Sequence, residues 1–308
     1  MYDRDLGLFA VIVQLFFGLS VGQAIEPPAI IDLIPQGVRV LESLAGDTEA
    51  RAERFSKEVL EAHPEVYQRL WQVDRTKAKA YIEKAPEYVS RIRKLHALFE
   101  NQEPLILDRF CQAYPEFVPS KAKIYLMLSL GRFDAKIPSQ HPDSLLIGLD
   151  GLARFHGTDA PLGVILSHEL FHLYHFQVSP LPKNPDDLPL YRLLWQEGLA
   201  VYASQQLNPG ASLGDVLLDP RLATEGPASI PAEAKRLLTC LESREDVVAA
   251  HFLAKSENGE VPGRIGYLIG YDVVARLAKN RSISSLARLH DPGLRFTFRR
   301  EIYRLAYP

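Results

Sequence analysis

The sequence has few of the residues that define several common classes of protein. Its 308 residues include two cysteines, Cys111 and Cys240, too few for a disulfide scaffold and without the paired spacing of zinc fingers. Basic residues do not exceed acidic ones, since 35 Lys and Arg stand against 38 Asp and Glu, which disfavours a nucleic-acid groove. The hydrophobic fraction of 47% is ordinary for a globular protein and argues against intrinsic disorder and a multi-span membrane protein.

Residues 6–25 contain no charged residue, and the small residues Gly22 and Ala24 lie near the end of this apolar run. The pattern predicts an export signal cleaved after Ala24, and therefore a periplasmic or secreted protein. An uncleaved membrane anchor is one alternative, because the run is close to the shortest length that spans a bilayer. A buried helix is the other. Export would place Cys111 and Cys240 in an oxidising compartment, where they either pair or stay free.

The rest of the chain shows two successive patterns. Apolar positions recur at helical spacing over residues 48–117, which predicts a helical subdomain over residues 25–119. Four prolines are expected to divide it into several helices: Pro64, Pro86, Pro104 and Pro115. Two apolar runs, residues 123–130 and 144–149, then predict strands at the start of a second domain over residues 120–308.

Helices are predicted again after the second strand. Thr158 or Asp159 is expected to cap the first of them, with Pro161 in its first turn and an end near residue 178. A proline-rich connector precedes a second helix over residues 190–207, which ends at an Asn-Pro-Gly sequence. Further helices are predicted over residues 231–253, 263–279 and 282–289. Together these elements predict a mostly helical α+β fold with a small sheet.

The first of these helices contains the sequence His168-Glu-Leu-Phe-His172. Residues four apart share one face of a helix, so both imidazoles can bind one zinc ion. Glu169 projects about 100° further round the helix, from where it can take a proton from a water on the metal. The His and Glu content of the chain predicts only about 0.02 chance occurrences of this motif. The motif therefore indicates a zinc-dependent hydrolytic site.

A third ligand is expected from the second helix. Glu197 lies among the mostly apolar residues 195–202, and a carboxylate there needs a partner because burying it unpaired is costly. Zinc requires a third protein ligand beside the two histidines, which would give Glu197 that partner. A salt-bridged or solvent-exposed glutamate is the alternative. The small residues Gly198 and Ala200 are expected to let this helix approach the first one closely.

These two segments together resemble the gluzincin clan of zinc metallopeptidases. The Glu197-Gly-Leu-Ala-Val-Tyr202 stretch is similar to the segment that carries the ligand glutamate in the aminopeptidase branch, and the whole pattern also resembles a set of predicted zinc-dependent proteases. The resemblance covers mainly residues 120–280. It implies a zincin-like catalytic domain, with residues 144–149 at the position where zincins place the edge strand of their sheet. An extended peptide could pair with such an edge.

The oxyanion formed during hydrolysis needs a donor besides the metal. Tyr267 is followed three residues later by Gly270, similar to the Tyr-x-x-Gly of aminopeptidase-type gluzincins, and Tyr271 lies one turn further on the same face. Tyr267 is the preferred donor and Tyr271 the second choice, and packing of both tyrosines in the core is the alternative. His175 and His251 are expected to have structural roles.

The sequence thus predicts a zinc-dependent peptidase acting on a peptide or protein substrate. Zn²⁺ would be held by His168, His172 and Glu197, with Glu169 as general base. Two alternatives stay open: a non-catalytic protein that binds a peptide or partner on the same scaffold, and a metal-assisted hydrolase of a non-peptide bond.

Overall fold

The computed structural model describes residues 26–179, 182, 184, 186–255 and 263–308. The apolar run over residues 6–25 lies outside this part, so the export signal and the membrane anchor stay predictions. Within the described ranges, no helix is both long enough and apolar enough to cross a membrane.

A small sheet and thirteen α-helices make up the regular structure of the described residues, which agrees with the predicted mostly helical α+β class. The four strands are β1 (Ala29–Asp32), β2 (Lys123–Met127), β3 (Ala135–Lys136) and β4 (Ser144–Gly148). The helices are α1 (Ile34–Ser43), α2 (Thr48–Phe55), α3 (Ala78–Lys84), α4 (Val89–Ala113), α5 (Leu149–Phe155), α6 (Leu162–Val178), α7 (Leu190–Leu207), α8 (Leu213–Leu217), α9 (Pro220–Cys240), α10 (Asp246–Leu253), α11 (Ile265–Ala278), α12 (Ile283–Ala287) and α13 (Gly293–Ala306). Shorter π-helical or 3-10 segments are Ser56–Leu60, Glu65–Leu70, Arg75–Lys77, Ala85–Glu87 and Pro119–Lys121.

The strands lie side by side in the order β1-β2-β4-β3. The first three are parallel, and β3 runs antiparallel to β4, with Ala135 opposite Ile147 and Lys136 opposite Leu146. The expected edge position of residues 144–149 is therefore wrong, because β4 has a strand on each side and is buried along its whole length. A continuous apolar run is typical of such an interior strand. The two edge strands are β1 and β3, and β3 lies beside β4.

The second strand ends earlier than its apolar run, at Met127 instead of residue 130. Buried Asp150, in the first turn of α5, accepts hydrogen bonds from the backbone nitrogens of Ser129, at 2.6 Å, and Gly131, at 2.7 Å. Leu130 and Gly131 have positive φ angles of 52° and 63°, which extended backbone does not adopt. The Asp150 carboxylate thus holds the turn that leads from β2 to β3.

The two helices of the predicted site have nearly the expected bounds, but α6 begins differently. Pro161 is its N-cap residue, and no side chain bonds the free amides of the first turn, so the predicted cap by Thr158 or Asp159 is wrong. Pro161 itself has φ -75° and ψ 73°, which lies outside the helical region, so the helix begins one residue later at Leu162. The end of α7 is as predicted, because the side chain of Asn208 donates to the Ser204 carbonyl at 2.7 Å.

Prolines interrupt fewer helices than the sequence pattern suggests. Pro104 lies inside α4, and Pro227 and Pro231 lie inside α9, which begins at Pro220 instead of residue 231. An interior proline removes one backbone hydrogen bond, but both helices bury an apolar face whose packing outweighs that loss. The helices α5, α8 and α13 were not predicted.

One hydrophobic core joins the elements on both sides of residue 120. It contains side chains from α1 and α4 as well as from the sheet and the helices that follow. Ile31 of β1 packs against this core, and β1 pairs directly with β2. Both cysteines are free thiols, Cys111 buried and Cys240 partly exposed.

Two glycines allow α7 and α11 to cross in backbone contact. A Cβ atom added to Gly198 would lie 2.3 Å from the carbonyl carbon of Gly270, and one added to Gly270 would lie 2.3 Å from the carbonyl oxygen of Leu194. The expectation that Gly198 brings α7 close to α6 is therefore wrong, because Gly198 faces α11. The crossing fixes the separation between Glu197 on α7 and Tyr267 on α11.

Replacement of Gly270 by alanine should destabilise the protein by about 1–3 kcal/mol, because the added methyl group meets backbone atoms that cannot rotate away. Chemical denaturation monitored by circular dichroism measures this loss. Gly293→Ala is the matched control, since a Cβ atom there meets nothing within 4 Å. Equal stability of the two variants would contradict the close crossing.

Candidate metal centre

The three residues predicted as metal ligands converge on one point. The Nε2 atoms of His168 and His172, one turn apart on α6, lie 3.1 Å from each other. Glu197 on α7 brings its Oε2 atom to 3.2 Å from Nε2 of His168 and 3.6 Å from Nε2 of His172. Among the described residues, this is the one group of three or more His, Cys, Asp or Glu side chains arranged to hold a metal ion.

The separations in this cluster match those of a tetrahedral metal site. Donor atoms placed about 2.0–2.1 Å from a zinc ion at tetrahedral angles lie about 3.3 Å from each other. The observed separations of 3.1, 3.2 and 3.6 Å are close to this value. Two imidazole nitrogens and a carboxylate oxygen suit several divalent transition metals. The cluster is able to hold a metal ion, and the donor set alone does not select zinc.

The metal cluster is partly open to solvent. The exposed fraction of the side chain is 15% for His168, 10% for His172 and 22% for Glu197. A structural zinc site is closed by four protein ligands, whereas three ligands beside an opening leave room for water or substrate. The three side chains would therefore leave one coordination position of a bound ion open to water or another ligand.

The charges of the cluster favour the ligand form of Glu197. Burial opposes ionisation of this carboxyl group, but the adjacent imidazoles of His172 and His168 outweigh burial and hold the pKa of Glu197 well below its usual value. Burial also opposes protonation of His172, and the nearby Glu197 carboxylate nevertheless raises the pKa of that imidazole. Glu197 is consequently an anion at neutral pH, as a metal ligand must be.

Glu169 lines the same cavity as the cluster without belonging to it. Burial raises the pKa of Glu169, and the neighbouring His168 and His172 only partly offset this effect. A raised pKa makes the carboxylate a stronger base towards water and brings proton release closer to neutral pH. The position and the pKa of Glu169 both suit proton transfer beside the cluster.

A cavity of about 540 Å³ opens in front of the cluster. Its walls come from α6, α7, α8, the start of α11 and the segment 132–137 that contains β3. Apolar side chains on several of these elements make part of the lining: Phe133, Val164, Ile165, Phe176, Leu193 and Val216. A cavity of this size and composition is typical of binding sites for small molecules or short peptide segments.

The structure separates the two candidate tyrosines. Tyr267 lines the cavity, and burial raises the pKa of its hydroxyl group, with a smaller contribution from the nearby Glu197 charge. Tyr271 is outside the cavity lining, and its hydroxyl group donates to the side-chain oxygen of Gln205 at 2.6 Å. Tyr267 is thus the tyrosine that can donate to a molecule bound at the cluster.

An aspartate is also present in the cavity wall. Asp134 precedes β3, and its Oδ2 atom lies 2.9 Å from Nε2 of His156. Burial opposes ionisation of Asp134, but the hydrogen bonds from His156 and from the backbone nitrogen of Ala135 lower its pKa to about 2. Asp134 and His156 form a hydrogen-bonded pair that supports the edge strand, in keeping with a structural role.

The remaining histidine candidates lie away from the cluster. His175 is buried on α6, and burial lowers its pKa to about 3, so the ring is neutral and packed. His251 lies 2.7 Å from the buried carboxylate of Glu233, and it does not line the cavity. Both positions agree with the structural roles expected for these residues.

Arg264 lies in the cavity wall, and the sequence pattern had not indicated a role for it. Arg264 lies one turn before Tyr267, and its guanidinium group stacks on the Tyr267 ring with 4.0 Å between the guanidinium carbon and the ring centre. Its position one helical turn from a candidate catalytic tyrosine was the available signal.

Comparison with known proteins does not assign a family or a function to this chain, so the proposed site rests on its geometry. No protein-family model, curated protein or solved structure matches this chain. The resemblance to gluzincins therefore stays a prediction based on the His168–His172 motif and the Glu197 segment.

The purified protein should contain about one metal ion per chain, and His172→Ala should lose most of it because two donors hold the ion far less tightly than three. Elemental analysis after dialysis measures both values. His290→Ala, which removes an exposed histidine outside the cavity, should retain the ion. Equal metal content in the two variants would contradict this site.

Proposed function

We propose that the protein is a zinc-dependent hydrolase of peptide bonds. The observation that supports this function most directly is the convergence of His168, His172 and Glu197, with separations of 3.1–3.6 Å, beside an open cavity that Glu169 also lines. A ligand cluster alone would serve a structural ion equally well. The adjacent carboxylate and the opening are what hydrolysis requires in addition.

His168, His172 and Glu197 would hold the ion, which supplies a Lewis acid that lowers the pKa of water and polarises a carbonyl group. The anionic state of Glu197 suits this role, since the two imidazoles outweigh the effect of burial and leave the carboxyl group ionised at neutral pH. Because these ligands come from two helices, the site depends on the packing of α6 against α7.

Glu169 would act as the general base. Its carboxylate lines the cavity next to the cluster, and burial raises its pKa toward the range in which proton transfer to and from water is efficient. After taking the proton from water, the same group can give it to the leaving amine, so one residue serves both steps. Tyr267, which also lines the cavity, would donate a hydrogen bond to the oxyanion.

The edge strand favours a peptide over other substrates. β3 lies at the end of the described sheet, and its residues Ala135 and Lys136 line the cavity. The unpaired edge of a strand offers backbone donors and acceptors at the spacing of an extended peptide. A substrate bound in this way would be held mainly through its main chain, with the apolar walls selecting among side chains.

The change Glu169→Gln should abolish peptide cleavage and leave the metal content unchanged, because it removes the base without removing a ligand. Loss of a general base lowers kcat by about 10²- to 10⁴-fold. Cleavage of mixed peptide pools, followed by mass spectrometry, gives the rate, and elemental analysis gives the metal content.

Two other results would replace this function. Absence of cleavage in the wild type across broad peptide pools, with the ion bound, would favour the non-catalytic binding protein. Cleavage of esters but not of peptides in parallel screens would favour a hydrolase of non-peptide bonds.

Tyr267→Phe should lower kcat about 10²- to 10³-fold with little change in KM, because the hydrogen bond it removes forms mainly in the transition state. Tyr271→Phe is the matched control, since that hydroxyl group bonds to Gln205. Steady-state kinetics on one cleaved peptide distinguishes them. The assignment is wrong if the Tyr271 variant loses more activity than the Tyr267 variant.

A further inference from the structure

The cavity wall carries more basic than acidic side chains. Four cations line it, Arg132, Lys136, Lys255 and Arg264, against the three carboxylates of Asp134, Glu169 and Glu197. Two of these carboxylates already have cationic or imidazole partners, because Glu197 faces His168 and His172, and Asp134 bonds to His156. None of the four cations forms an ion pair with a residue in the described ranges. The chain as a whole is slightly acidic, with a net charge of -3, so this local excess is not a property of the entire surface.

Arg264 is the most firmly positioned of these cations. It is partly buried, its guanidinium group donates to the Leu217 carbonyl at 3.1 Å, and it stacks on the Tyr267 ring. Its backbone has φ 62° and ψ 22°, a left-handed conformation that non-glycine residues rarely adopt. Packing thus holds the side chain in one orientation, while both of these partners are uncharged. A guanidinium group has five N–H donors in a fork that matches a carboxylate, so donors remain for a ligand in the cavity.

The short distance between Arg264 and Tyr267 limits where a substrate carboxylate bound by Arg264 would lie. The guanidinium carbon is 4.0 Å from the centre of the Tyr267 ring, and Tyr267 is the proposed donor at the carbonyl group under attack. An extended peptide advances about 3.3 Å per residue. A carboxylate bound by Arg264 would therefore belong to the substrate within about two residues of the cleaved bond.

We propose that this cavity selects peptides that carry a carboxylate close to the cleaved bond, and that Arg264 binds it. The inference rests on the proposed peptidase function and specifies its substrate class. Arg132 and Lys136, exposed at the edge-strand side, would attract such substrates from solution through their charge. The carboxylate is either an acidic side chain or the free end of the peptide chain, and both offer the same chemistry to the guanidinium group.

Matched peptides test the preference and separate its two sources. One set carries Glu or Gln at each of the two positions on either side of the cleaved bond, and a second set ends in a free carboxylate or in an amide. When the carboxylate stands at the position that Arg264 recognises, the wild type should cleave the charged peptide with a kcat/KM about 10- to 100-fold above that for the neutral partner. This is the range expected for a hydrogen bond to a charged group. A preference in the first set identifies a side chain, and one in the second identifies the chain end.

Arg264→Gln should bring the ratio of charged to neutral kcat/KM close to one, and Arg264→Lys should give an intermediate ratio because it keeps the charge without the fork. The ratio isolates charge recognition from any general loss caused by the contact with Tyr267. Arg299→Gln, at an exposed arginine outside the cavity, should keep the wild-type ratio.

Binding provides a second measurement that needs no turnover. The metal-loaded Glu169→Gln protein should bind the labelled charged peptide more tightly than the neutral one by fluorescence anisotropy. Peptide cleavage without preference in the wild type, or an unchanged ratio in Arg264→Gln, would overturn this inference alone. Failure of the wild type to cleave any peptide would overturn the proposed function and this inference with it.

Discussion

The convergence of three electron-pair donors is the constraint on which the site depends. Two imidazole nitrogens and a carboxylate oxygen lie 3.1–3.6 Å from one another in a partly buried position. Their lone pairs repel one another at this distance unless a proton or a cation lies between them. Protonation of His172 relieves part of this repulsion, and the raised pKa of that ring reflects the Glu197 charge beside it. A divalent ion would satisfy all three donors at once, so its binding and the packing of α6 against α7 would support each other.

The proposed site draws its chemical groups from several different elements of the fold. In the proposed mechanism the helix α6 would supply two ligands and the base, α7 would supply the third ligand, and α11, which follows Arg264, would supply Tyr267. The sheet contributes through its last strand, β3. Asp150 holds the turn that follows β2, and the Asp134–His156 pair lies directly before β3. Buried carboxylates that bond to backbone amides are well suited to this task, because they fix a turn without needing a long side chain.

The sequence predicted the elements whose signals are local and missed those that depend on distant partners. The His168–His172 spacing and the apolar stretch around Glu197 were sufficient for the cluster, and α7 has the expected bounds. The two-residue strand β3 exists only because β4 lies beside it, and β1 pairs with a strand some ninety residues further along the chain. A close helix contact at Gly198 was predicted with α6, whereas the structure has it with α11. The absence of a side chain does not indicate which neighbouring helix fills the space. The α13 helix was missed although Leu294, Phe298, Ile302 and Leu305 recur at helical spacing.

The glycine crossing between α7 and α11 has a consequence for how this protein could change. At Gly198 and Gly270 the two helices meet through main-chain atoms, so the distance between the groups they carry does not depend on the rotamers of nearby side chains. Residues such as Val164, Leu193 and Val216 line the cavity without taking part in that contact. Their replacement would reshape the apolar part of the cavity and leave the backbone spacing of α7 and α11 unchanged. If the proposed function holds, this apolar part of the selectivity could vary while the two helices keep their separation.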